Sequence, residues 1–259
     1  MERHGKDAIA VDGLGTMPGF APDPPKEGFD IIPMWVADMN FPTVPTVQEA
    51  MAERIGHPAF GYFSPSDDYF NAIIRWQERR NGVRDLEKKH IGYETVFWRP
   101  SQRLKCILLQ RGSCAFKFSY LYRFTKSLAN NGYRAVHSPL YLDEENVWRM
   151  DYEDMEKKIV EYKIHAAVFC SPYNPVGRVW TRDEIERAME IFKRHNVFVV
   201  SDEIWSDIIT LGHKHIPTQS VSRMPASGPW LSMRPARLLI WQAWSEATIL
   251  FTMTGSATG

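Results

Sequence analysis

The chain has 259 residues, 44% of them hydrophobic and 24% charged, with 31 basic residues balancing 31 acidic ones. That is an ordinary composition for a folded globular domain; zero net charge argues against a nucleic acid or an anionic membrane as partner, and no apolar run reaches the roughly 18 residues of a membrane span. The start, Met1-Glu2-Arg3-His4-Gly5-Lys6-Asp7, is polar and no secretory signal, and Cys106, Cys114 and Cys170 cannot all pair and lack C-x-x-C spacing, so a cytoplasmic protein without structural metal is expected.

Residues 45–55 read as a helix with Thr43 or Thr46 near its start. Residues 66–80 read as a second, with Phe70, Ile73, Ile74 and Gln77 along one side and Gly82 past its end. Residues 97–123 break this regularity. They hold no acid but carry Arg99, Arg103, Lys105, Arg111, Lys117 and Arg123, show neither helical nor strand period, and read as a basic surface loop. Asp151 can cap a helix whose Met155, Ile159 and Tyr162 recur at i, i+4, i+7. The run His-Ala-Ala-Val-Phe-Cys over 165–170 suits a strand buried on both faces. Thr181 and Glu184 have capping-box spacing, and the helix they open puts Ile185, Met189 and Phe192 on one face. Residues 197–200 form another buried strand running into Ser201-Asp202-Glu203. Residues 223–259, with Glu246 as their single acid and Trp230, Trp241 and Trp244 crowded together, read as an irregular apolar tail.

Strand, loop, helix, strand is a βαβ unit, which makes the chain α/β with parallel neighbours and a right-handed crossover. Open parallel sheets bind ligands at the carboxyl ends of their strands, where this pattern places both the Asn174 loop and Asp202. Asn174-Pro175-Val176-Gly177 alone is only a turn. With an Asp 28 residues later (202 − 174), across a βαβ unit, it becomes a cofactor-site pattern. Asp202 itself reads either as a cap for the following helix or as the partner of a protonated heterocycle, whose charged form a nearby carboxylate favours.

Ser171-Pro172-Tyr173-Asn174-Pro175-Val176-Gly177-Arg178 and Ser201-Asp202-Glu203-Ile204-Trp205 resemble cofactor-binding segments of fold-type I pyridoxal-phosphate (PLP) enzymes. Further segments sharpen the resemblance: Pro33-Met34-Trp35-Val36-Ala37-Asp38-Met39-Asn40-Phe41, Phe60-Gly61-Tyr62, Asn130-Asn131-Gly132-Tyr133 and Asn146-Val147-Trp148-Arg149-Met150-Asp151. Together they are similar to the MalY/PatB branch of class I/II aminotransferase-like proteins, the C–S β-lyases often called cystathionine β-lyases. The resemblance covers most of the chain outside 97–123 and 223–259.

The resemblance implies a mostly parallel large-domain sheet flanked by helices, with an incomplete small domain. Residues 1–45 would belong to the small-domain and substrate-entrance region and 46–259 to the PLP-binding large domain, the family's C-terminal small domain being missing. Asn174 would hydrogen-bond the phenolic oxygen of PLP, and Asp202 would pair with the pyridine nitrogen so that the ring works as an electron sink. Tyr62 would reach a phosphate across a homodimer interface; read without the family, it is an ordinary turn aromatic. Trp35, Val36, Ala37 and Asp38 would line the substrate entrance; read alone, Trp35 is a core anchor. The reaction implied is β-elimination from cystathionine or another cysteine S-conjugate, yielding pyruvate, ammonia and a thiol. An aminotransferase uses the same Asn, Asp and Lys, so those residues do not separate the two.

One residue that the resemblance requires is absent. The family's Schiff-base lysine lies in a Ser-Lys-Thr-Phe-Asn-Leu-Ala-Gly-like segment, expected here near Ala236 and Arg237, and the last lysine in the chain is Lys214. Arginine stays protonated and cannot supply the free amine. Codons for residues 233–244 can be chosen so that a neighbouring frame reads Ala-Pro-Ser-Lys-Thr-Phe-Asn-Leu-Ala-Gly-Leu, and residues 118–125 so that a shifted frame resembles Asn-Ser-Pro-Thr-Tyr-Ile-Gly-Phe-Thr. Both irregular segments are therefore read as out of frame. A catalytically defective chain, a non-catalytic remnant or a binding module, is the expectation, with apolar strand edges left uncovered.

Overall fold

The computed structural model describes residues 2–36, 38, 40–93, 114–117, 128–129, 132–210, 212–222, 238–244 and 246–252. The chain divides into two compact units, Met1–Phe63 and Ser64–Gly259.

The first unit is knit by local polar contacts. Helix α1 (Ile9–Asp12) ends at Asp12, whose carboxylate accepts the amides of Gly5, Lys6 and Ala8 at 2.9, 3.2 and 3.1 Å. Those N–H groups, Gly5 first, hold its carboxyl below the usual range. Helix α2 (Pro45–Gly56) starts on Pro45, which needs no amide partner in the first turn. Val44 occupies the cap position and no side chain caps the helix, so neither Thr43 nor Thr46 does. No residue of α2 is buried.

The second unit carries the sheet. Helix α3 (Asp67–Asn81) is capped by Ser66, whose hydroxyl accepts the Tyr69 amide at 3.4 Å, and is closed by Gly82 at φ +69°, a left-handed conformation in which glycine avoids a side-chain penalty. Phe70, Ile73 and Ile74 pack on the core and Gln77 is buried, the face expected from their spacing. Strand β1 (Ile91–Tyr93) follows a short 3-10 turn. Strands β2 (Cys114–Lys117) and β3 (Arg134–His137) pair in parallel, and β4 (Leu140–Leu142) with β5 (Trp148–Met150) makes a separate antiparallel hairpin.

Helix α4 (Tyr152–Glu161) is capped by Asp151, which accepts the Asp154 amide at 2.9 Å, and buries Met155 and Ile159. Strand β6 (Ala166–Cys170) is buried at every residue, as is β7 (Phe198–Asp202) beyond Phe198. Between them, α5 (Arg182–Arg194) opens with both halves of the Thr181/Glu184 capping box and buries Ile185, Ala188, Met189, Ile191 and Phe192. Helix α6 (Thr218–Ser222) precedes strands β8 (Leu238–Trp244) and β9 (Glu246–Thr252).

The seven-stranded sheet runs β1-β9-β8-β7-β6-β2-β3. From β8 to β3 all neighbours are parallel, while β9 is antiparallel to both β8 and β1. This is the mostly parallel sheet expected for the βαβ pattern. It also revises two readings. Segments 97–123 and 223–259, which show no strand period, contribute β2, β8 and β9, and the edges of β6 and β7 expected to be open are paired by β2 and β8. Ladder hydrogen bonds use only main-chain groups, so a segment lacking the proper side-chain pattern still satisfies the neighbouring strand.

Candidate active site

The carboxyl ends of β6 and β7 lie side by side, with Cys170 opposite Asp202 in register. The Ser171 amide donates to the Asp202 carbonyl at 2.9 Å, so the Asn174 loop leaves the sheet next to Asp202. The structure thus starts the loop that carries Asn174 beside the strand end that carries Asp202. Ala236 and Arg237, where the lysine is expected, lie outside the described residues.

Asp202 is buried, and among the described residues no cation pairs with it. Burial pushes its carboxyl up to about 7; the Ile204 amide, donating to Oδ1 at 3.3 Å, opposes this, and the neighbouring Glu203 adds to it. The cap reading of Asp202 is met only by that one local amide bond. A carboxylic acid held near neutrality at the mouth of a parallel sheet is suited to a cation that arrives with a ligand.

The Asn174 loop is shaped by its closing residues. The Tyr173 amide donates to the Arg178 carbonyl at 2.7 Å and the Gly177 amide to the Tyr173 carbonyl at 2.8 Å, with Gly177 at φ +74°. Trp180 is buried, donates its indole N–H to the Cys170 carbonyl at 2.9 Å and tilts against Tyr173 at 5.6 Å between ring centres. Arg178 clamps Glu184 through Nη2 at 2.6 and 2.8 Å and donates Nε–H to the Trp148 carbonyl at 2.9 Å. Glu184 also accepts from Arg149 at 3.2 Å and from the Thr181 amide at 2.8 Å. Burial raises the Glu184 carboxyl, but the Thr181 amide and the two guanidinium groups outweigh it and hold it below the usual range. The half-buried Asn174 side chain makes no hydrogen bond among the described residues.

Arg178, Trp180 and Glu184 were not singled out in the sequence as parts of this site. The signal was there: Glu184 is the capping-box acid, and an arginine six residues before it is within reach of the same carboxylate.

The remaining site residues belong to the first unit. Trp35 is half-buried, packs edge-on against Phe20 at 5.4 Å and donates Nε1–H to the Ala10 carbonyl at 3.0 Å, as a core anchor would. Val36 is half-buried. Asp38 pairs with Arg3, which also donates to Asn40 Oδ1 at 3.1 Å. Ala37 lies outside the described residues, and the Tyr62 side chain is fully exposed.

A buried acid such as Asp202 has the chemistry to face a protonated ring nitrogen such as that of PLP, and Asn174 stands in the neighbouring loop. The group that would bond the cofactor aldehyde has no match, because no lysine follows Lys214. Among the described residues no helix is long and apolar enough to cross a membrane.

The chain is 30% identical over 227 residues to cystathionine beta-lyase PatB of Bacillus subtilis, covering 85% of this chain and 55% of that protein. It is 30% identical over 238 residues to the protein MalY of Escherichia coli, covering 89% and 56%. The chain therefore spans about half the length of these relatives. Cystalysin from Treponema denticola superposes with a TM-score of 0.82 at 22% identity, over 98% of this chain and 63% of that one. A PLP-bound C-S lyase from Staphylococcus hominis superposes with a TM-score of 0.79 at 23% identity, over 98% and 62%. These two establish the fold. The model of aminotransferase class I and II matches residues 36–242, and the chain belongs to that family.

Proposed function

We propose that this chain is the cofactor-binding part of a PLP-dependent C–S β-lyase of the MalY/PatB type, and that it is catalytically silent as it stands. The single observation that carries the reading is the buried Asp202 beside the Asn174 loop, which no cation pairs with among the described residues, within a chain 30% identical to a cystathionine beta-lyase. PLP supplies an electron sink when its ring nitrogen is protonated. Asp202 would hold that proton, and Asn174 would meet the phenolic oxygen. Trp35, Val36, Ala37 and Asp38 would border the entrance for an amino-acid substrate such as cystathionine. No step of bond cleavage follows from the residues present, because the amine that would take the α-proton is missing.

Residues 97–123 and 223–259 are, on the same proposal, translated out of frame, with a lysine codon straddling Ala236 and Arg237. A homodimer is part of the reading, with Tyr62 and the exposed Val47, Met51 and Ile55 of α2 facing a second copy.

Titrating PLP onto the purified chain tests the site. Binding is expected without covalent capture by borohydride, and D202A is expected to weaken it about tenfold or more, the loss of one charge-assisted contact. Binding indifferent to Asp202 overturns the site. Cystathionine is expected to yield no pyruvate; pyruvate release by the unaltered chain overturns the silence. The coding DNA tests the frame: if no single-base change restores the lysine segment, that part fails.

A further inference from the structure

The residue after Asp202 is a second buried acid, whose part so far is only to help raise the Asp202 carboxyl. Glu203 is wholly buried. Three donors converge on its carboxylate: the Ser201 hydroxyl at 3.0 Å and the Thr218 amide at 2.9 Å on Oε1, and His215 Nε2 at 2.9 Å on Oε2. The Ser201 and Thr218 hydroxyls also bond each other at 2.9 Å. His215 is itself buried, and its Nδ1 has no partner among the described residues.

Taking a carboxylate out of water is costly unless donors replace the water, and here the donors come from three separate places in the chain. His215 and Thr218, 12 and 15 residues on, grip the residue next to Asp202. Side chains alternate along an extended chain, so Ser201 and Glu203 share one side and Asp202 takes the other. Among the described residues Asp202 is held by main chain: its carbonyl receives the Ser171 amide at 2.9 Å and its Oδ1 the Ile204 amide at 3.3 Å. Two neighbouring acids with opposite surroundings, one saturated with donors and one without a cation among the described residues, imply two tasks. The saturated one is built to stay still.

Resting on the reading of Asp202 as the acid that meets the cofactor ring, we propose that Glu203, braced by His215, is the positioning residue that fixes the end of β7 and so holds the Asp202 carboxylate at the mouth of the sheet. The grip also fixes Asp202 relative to Ser171 and the Asn174 loop, since one amide bond joins them.

Amide hydrogen exchange on the whole chain without PLP tests this. E203A is expected to speed exchange of the Ser171 and Ile204 amides about tenfold, the effect of losing roughly one buried hydrogen bond, while amides within β6 and α5 stay unchanged. H215F gives the same pattern more weakly, and H215Q, which restores a donor, brings the rates back. Where E203A does not fold, E203Q keeps the shape, and the Asp202 titration followed by carboxyl NMR is expected to move to lower pH, because the adjacent negative charge that raises it is gone. Unchanged exchange at Ser171 and Ile204, a rise shared by every core amide, or an unmoved Asp202 titration overturns the proposal. Failure of H215Q to restore what H215F loses removes His215 from it. PLP enters none of these readouts, so a chain that passes them yet ignores PLP overturns the functional reading alone.

Discussion

Helices α2 and α5 carry the same kind of apolar spacing and end in opposite conditions. In α5, Ile185, Met189 and Phe192 are buried and a complete capping box closes the first turn. In α2, Val47, Met51 and Ile55 recur at i, i+4, i+8, yet remain 44%, 60% and 67% exposed, and no side chain caps the helix. An apolar stripe states only that a helix wants a partner. For α5 the partner is the sheet of the same unit; for α2 it is not among the described residues of its own unit, which is why a second copy of the chain is proposed for it.

The largest expected effect sharpens this contrast. F192A in α5 is expected to cost about 3–5 kcal/mol in urea unfolding, because a fully buried ring leaves a cavity. M51A in α2 is expected to stay within about 0.5 kcal/mol for the monomer. Equal costs would break the comparison.

Next comes Asp202, where burial works against stability. Folded, its carboxyl keeps a proton up to about 7; unfolded, it releases it near 3.8. Between those values the folded chain binds more protons, so this group's contribution falls as pH rises through the window. The span corresponds to roughly 4 kcal/mol at most. D202N is therefore expected to stabilise the chain at pH 8 and to flatten its stability between pH 4 and 7, measured by urea unfolding at each pH. A stabilising change at a site residue is what a trade between function and stability produces; a destabilised D202N contradicts the burial argument.

Glu184 has the opposite sign. Its folded carboxyl is held below its ordinary value, so its stabilisation is present above that value and is lost as pH falls through the lowered range. E184A is expected to cost about 2 kcal/mol at pH 7, from the cap and the desolvated arginine contacts together, and thermal unfolding at pH 7 and pH 3 reads the difference. G82A, at φ +69°, is expected to cost about 1 kcal/mol by the same measurement.

Legibility differed along the chain for a physical reason. Residues 151–202 could be read almost element by element, because caps at Asp151 and Thr181 and continuous apolar strands are local signals that the packed sheet reinforces. The start of α2 carries no side-chain cap, and Pro45 in its first turn has no amide that needs one. Strands β2, β8 and β9 were invisible, since main-chain pairing with a neighbour asks nothing of the side-chain period. That the Asn174 loop and Asp202 lie at neighbouring strand ends was legible from the βαβ pattern, and the hydrogen bonds around them were not.

By itself the sequence determined the βαβ unit, the family and the missing lysine, all matters of local pattern and residue identity. Only the tertiary structure decided that Asp202 has no cation beside it among the described residues while Glu203 next to it accepts three donors. That distinction depends on where residues far along the chain, His215 and Thr218, return to the sheet, and burial and hydrogen-bond supply are properties of such long-range packing rather than of any stretch of residues.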